Sequence, residues 1–148
     1  MTIKEKKEKY VQGKFKPANP KKYVGKVDEI CYRSGWEFKY MMSLDHDPDV
    51  ISWSSEELSI PYKSPVDKRM HRYFPDFIVR RKDRKVYIIE IKPAVQTRVP
   101  KQSKNRKKML NESATYAINQ AKWKAAEEFC HRNGYIFQIL TEKELKIK

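Results

Sequence analysis

The order of patterns along the chain predicts an α/β fold, with a mixed central sheet flanked by helices. A helical stretch comes first, a run of short strand-like segments follows, then a long helical stripe, and a last strand-like segment lies near the end. The chain is 148 residues long, which suits one domain with a closed core, and its 9 Tyr, 6 Phe and 3 Trp argue for a packed interior.

Residues 1–27 hold Pro17, Pro20 and dense lysine with little apolar periodicity, and read as a basic arm ahead of a single domain over 28–148. Ile30, Ser34, Phe38, Met41 and Met42 recur at helical spacing, so a helix is expected over about 34–44. Ser34 is its N-cap, with Glu37 in the capping-box position, and Asp45-His46-Asp47-Pro48 ends it. Strands are expected at Val50–Trp53, Leu58–Tyr62 and His71–Val79, with turn residues Pro65–Lys68 between the second and third. Arg80–Arg84 reads as a hairpin turn and Lys85–Lys92 as the fourth and most apolar strand. A basic loop over about 93–108 leads to a helix whose stripe is Leu110, Ala114, Ala117, Ala121, Ala125 and Phe129. Asn133-Gly134 stops that helix, and Tyr135–Leu140 is the closing strand.

The formal charge is +14, and it is concentrated. Residues 1–27 carry +7 and residues 96–108 carry +6, whereas 28–95 are neutral. Two basic blocks on a neutral body suit a polyanion, because each Lys or Arg near a phosphate releases condensed counterions. No run approaches the roughly 18 apolar residues of a membrane span, so a membrane partner is not expected. The first residues form no apolar signal region, and Cys31 and Cys130 make no disulfide framework, which favours a reducing, cytoplasmic setting. His46, His71 and His131 are too scattered for a triad or a zinc site, and no Gly-rich phosphate loop supports ATP use. Trp36, Trp53 and Trp123 are read as core residues rather than base-stacking ones.

Chemistry is concentrated on the apolar strand. Val86, Ile88, Glu90 and Lys92 share one of its faces. A carboxylate there is expensive to desolvate without a cation or several donors. Phe74-Pro75-Asp76-Phe77 puts a second carboxylate in an apolar strand, and a hairpin centred near Lys82 sets Asp76 opposite Ile88 and diagonal to Glu90. Two carboxylates and a lysine at one sheet edge fit phosphodiester hydrolysis. Hard oxygens hold Mg2+ (Mn2+ as substitute), which keeps waters and shares itself with phosphate.

Pro75-Asp76 followed by Glu90-Ile91-Lys92 resembles the signature of the PD-(D/E)XK nucleases, which have a restriction-endonuclease-like core. Ser34-Gly35-Trp36-Glu37, Phe77, Pro93, Lys122-Trp123 and Thr141-Glu142 extend the likeness to TnsA-type endonuclease domains, and within them to the head completion nucleases of large contractile-tailed bacteriophages. The resemblance implies a metal-dependent DNA endonuclease, expected to act on double-stranded DNA, and the two basic blocks, which hold phosphates rather than read bases, predict little sequence specificity. Asp76, Glu90 and the Ile91 carbonyl would bind the metal, Lys92 would be the catalytic lysine, and Glu37 a further acid, preferred over Glu29, Glu56 and Glu57. Gln120 and Lys122 would touch DNA from the second helix, with Lys101, Lys104, Arg106, Lys107 and Lys108 gripping its backbone. It further implies action during head completion in the host cytoplasm or virion head, with portal or neck proteins as partners and a homodimer for two-strand cutting. The rival expectation is a non-catalytic virion assembly protein with the same fold.

Overall fold

The computed structural model describes residues 12–146. In chain order its strands are β1 (Gly13–Lys14), β2 (Cys31–Tyr32), β3 (Val50–Ser55), β4 (Ile60–Lys63), β5 (Met70–Tyr73), β6 (Phe77–Arg81), β7 (Val86–Ile91) and β8 (Ile136–Leu140). The α-helices are α1 (Gly35–His46), α2 (Arg106–Asn133) and the short α3 (Glu142–Leu145). The central sheet runs β3-β6-β7-β8, antiparallel except for the parallel pair β7/β8. A parallel pair needs a crossover, and α2 supplies it. The expected mixed α/β architecture, consistent with a restriction-endonuclease-like fold, is present.

Side-chain alternation along the sheet sorts the core into two layers. Phe77, Val79 and Ile89 face α1 with Tyr40, Met41, Leu44 and Trp53. Val86, Ile88 and Ile78 face the other way, toward Cys130 and Phe129 of α2. Trp53 lies in the α1 layer at 1% exposure and Trp123 packs against Ile60, Tyr62 and Tyr73 at 5%, which leaves neither free to stack on a base.

The segment expected as one strand over 71–79 is two. Pro75 has no N–H to give a ladder and its ring fixes the local bend, so the chain leaves one sheet and enters another there. β5 pairs with β4 in a separate two-stranded ribbon, and β6 joins the central sheet. The hairpin register also differs from expectation. Phe77 pairs with Ile89 and Ile78 with Ile88, which centres the turn on Asp83 rather than Lys82. The cause is the turn itself: Arg81 N–H donates to the Lys85 carbonyl (3.3 Å), and Arg84 adopts a left-handed φ of 69°, closing a three-residue loop.

Capping residues act as the sequence predicts. The Ser34 hydroxyl accepts from Glu37 N–H (3.1 Å), and Gly134 ends α2 in the left-handed region at φ 70°. The face of α2 is rotated from the expected stripe. Asn119, Trp123, Ala126 and Cys130 are its buried residues, the alanines of the stripe flank them half-buried, and Leu110 is exposed. A 28-residue helix is about 42 Å long, against roughly 17 Å for a five-residue strand, so its first turns run past the sheet and need no apolar partner. Those turns include Arg106, Lys107 and Lys108, which are helical rather than part of the loop.

The described part of the basic arm is ordered against the body. β1 pairs with β2, Phe15 is buried, and Val24 N–H donates to the Trp53 carbonyl (2.9 Å). Ala18 and Asn19 donate their N–H groups to the buried carboxylate of Asp45 (2.7 and 3.0 Å). Residues 13–32 are therefore a strap sealed onto the body, with Lys14, Lys16, Lys21 and Lys26 on its outer surface. The lysines of residues 1–11 lie outside the described residues.

Candidate active site

The corrected register carries the chemistry. Continuing the β6/β7 ladder one step beyond Phe77–Ile89 sets Asp76 level with Glu90, on the face that also bears Ile78 and Ile88. Asp76 Oδ2 accepts the Ile91 N–H at 2.7 Å, and its own carbonyl accepts the Glu56 N–H at 3.1 Å, which ties the residue to the end of β3. Glu90 is 7% exposed, and its Oε1 accepts from the Tyr73 hydroxyl at 3.0 Å. Lys92 follows β7 and donates its N–H to the Leu140 carbonyl (3.0 Å), so the sheet fixes the backbone from which its ammonium projects.

These groups line a cleft of about 580 Å³ together with Arg33, Glu37, Glu56, Arg72, Phe74 and Lys122. Glu37 stands in the first turn of α1, where its Oε2 accepts the Arg33 N–H (3.2 Å). That bond reaches one residue further back than the expected capping box. Glu56 holds a left-handed φ of 55° and pairs with the Arg33 guanidinium at 3.1 Å. Lys122 sits over the Tyr73 and Tyr62 rings at 5.8 and 6.0 Å.

Burial raises Glu37, Asp76 and Glu90 alike. Burial pushes Glu37 up to about 7, with the Asp76 charge adding to the effect. Asp76 lies well above the usual carboxylate range, first through burial and then through the Glu90 charge, against the pull of the Ile91 N–H. Burial raises Glu90 too, opposed by the hydrogen bond from Asp76, by Lys92, by the Tyr73 hydroxyl and by Lys122. Burial and the Glu90 charge hold the Tyr73 phenol neutral, so it remains a donor.

Among the described residues no three His, Cys, Asp or Glu side chains form a ready metal cage. The donor set nonetheless fits magnesium, which takes one or two carboxylates, keeps several waters and shares itself with substrate phosphate. Two crowded carboxylates of raised pKa, level on one face and open to a cleft, are such a set.

Of the residues expected at the site, Glu37, Asp76, Glu90, Ile91, Lys92 and Lys122 meet in this cleft. Gln120 does not: it is exposed on α2 and lines no part of it, while its neighbour Asn119 is buried. Lys101 and Lys104 are exposed in the loop before α2, and Arg106, Lys107 and Lys108 are exposed in its first turn. Glu29 pairs with Lys26 at 3.9 Å and is absent from the cleft lining. Sequence reasoning missed Tyr73, Arg72, Phe74 and Arg33. Tyr73 had one available signal, its place three residues before Asp76 in an apolar run.

The TnsA-like endonuclease N terminal family matches residues 47–142. The chain belongs to this family. It is also 37% identical over 139 residues to the head completion nuclease of Enterobacteria phage T4, covering 90% of this chain and 93% of that relative. The family match takes in Asp76, Glu90, Lys92 and Lys122 and begins just after the end of α1, so Glu37 and Arg33 lie before it.

Proposed function

We propose that this protein is a magnesium-dependent DNA endonuclease of phage head completion, cutting double-stranded DNA with little sequence preference. The observation that carries the reading is the level Asp76–Glu90 pair with Lys92 beside it in one cleft. Family membership and the likeness to a head completion nuclease support it.

Asp76, Glu90 and the Ile91 carbonyl would hold the ion, with manganese as a substitute. When bound, magnesium supplies Lewis acidity to a phosphate and lowers the pKa of its water. The remaining work belongs to the chain. Tyr73 donates to one Glu90 oxygen and thereby orients the other. The Lys92 ammonium offsets negative charge that develops on the phosphoryl oxygens. Glu37 accepts protons and hydrogen bonds from water on the α1 side of the cleft. Lys122, with Lys101 and Lys104 before α2 and Arg106, Lys107 and Lys108 in its first turn, holds phosphates, which positions DNA without reading its sequence. The relative's name gives head completion in a phage as the setting; packaged DNA as substrate and portal or neck proteins as partners are part of the proposal. We propose that the chain cuts the two strands as a homodimer, one site to each strand.

The test is cleavage of supercoiled plasmid with magnesium or manganese by wild type, Asp76→Ala and Lys92→Ala. Cleavage by wild type alone is the expected result. A folded, DNA-binding wild type that leaves the plasmid intact with either metal would replace this reading with a non-catalytic assembly role.

A further inference from the structure

β4 and β5 form a ribbon apart from the central sheet, anchored at its root by Ile60, Tyr62 and Tyr73 packed on Trp123 and Ala126 of α2. Its turn is pre-organised. Ser64 N–H donates to the Arg69 carbonyl (2.9 Å), Lys68 N–H to the Ser64 carbonyl (3.0 Å), and Arg69 N–H to Asp67 Oδ1 (2.9 Å). Asp67 is the ribbon's one acid, and its other oxygen lies 2.7 Å from His71 Nε2, so it is engaged within the turn. Lys63, Lys68, Arg69 and Arg72 are exposed and have no ion pair among the described residues. Beside them Val66 and Met70 are 58% and 65% exposed.

That mixture selects a partner. A surface kept for solubility has interspersed signs and few exposed aliphatics. A protein-docking surface has its central charge depleted. Unpaired cations alternating with apolar side chains on a stiff two-stranded ribbon suit the groove and backbone of a duplex. The position agrees: Arg72 lines the catalytic cleft, and Arg69, three residues earlier toward the ribbon's turn, is ~10 Å further from it at ~3.3 Å per residue, about three base-pair steps. We propose that the β4–β5 ribbon is a DNA grip beside the cleft, its cations on the phosphates flanking the cut and Val66 and Met70 against the groove wall. This rests on the nuclease reading for its substrate and adds a contact surface to it.

The test measures binding of a 30-base-pair duplex by fluorescence anisotropy across salt concentrations, in EDTA, with the full chain. The variant Lys63→Ala/Lys68→Ala/Arg69→Ala is compared with wild type and with Lys101→Ala/Lys104→Ala, thermal melting reporting the fold. The ribbon triple is expected to reduce the slope of log K against log salt by about 2 to 3, since each lost phosphate contact removes ~0.9. Should the triple fail to fold, Arg69→Ala alone is expected to reduce the slope by about 0.9. An unchanged slope and affinity in folded ribbon variants overturns the proposal. A wild type that cleaves plasmid while the folded triple binds normally removes the ribbon and keeps the nuclease. Ribbon-dependent binding without any cleavage does the reverse.

Discussion

Asp45 and the Asp76–Glu90 pair are buried carboxylates in one fold, and their surroundings differ. Asp45, 1% exposed, receives two backbone N–H groups from Ala18 and Asn19, while its own carbonyl takes Asn19 Nδ2 (2.9 Å) and Lys22 Nζ (3.1 Å). Its charge is met by donors that also needed a partner, and the result is a fastening for the strap. Asp76 receives one N–H and Glu90 one hydroxyl, and the Glu90 charge presses on Asp76. Burial alone does not mark a working acid; a shortage of donors at a buried acid does.

The sharpest break of that contrast is Asp76→Asn. Cleavage should fall by at least about 10³-fold in a plasmid assay, while melting in EDTA stays level or rises, because a crowded charge has gone. Asp45→Asn should do the opposite. Loss of a charged acceptor for two buried N–H groups costs about 3 kcal/mol in denaturant unfolding, and the protein that stays folded cleaves normally. Tyr73→Phe is smaller and refines the pair: it should weaken magnesium affinity about tenfold by calorimetry, with melting little changed. The least effect comes from pH. Glu37 titrates at about 7 in the folded chain against 4.5 for the ordinary group. The folded state therefore binds its proton more tightly, and the stability it contributes is full below pH ~4.5 and lost as pH rises through about 7. In EDTA, Glu37→Gln should flatten that decline in melting temperature.

The sequence disclosed the catalytic side of this contrast far better than the structural side. A charge in Val86–Ile91 breaks an apolar pattern, so Glu90 and the lysine after it stand out, and Asp76 stands out after Pro75. Asp45 gave no such signal, because its donors are backbone groups 26 and 27 residues away. The turn centre was missed by one residue and the pairing therefore by two, since Arg84 accepts a left-handed conformation that its side chain does not advertise. Gln120, carried over from the resemblance together with Lys122, misses the cleft that Lys122 reaches, because two residues along a helix turn the side chain by about 200°. The split at Pro75 was hidden by strand-forming residues on both sides of it.

That split has a mechanical consequence. Tyr73 ends the ribbon and Asp76 begins the catalytic pair, with only Phe74 and Pro75 between them. A proline ring removes rotation about φ, so this link behaves as a stiff coupling rather than a tether. Load taken up by the ribbon reaches the carboxylate across a few ångströms of chain with almost no slack, and a glycine at position 75 would be a clutch where the native joint is a rigid shaft.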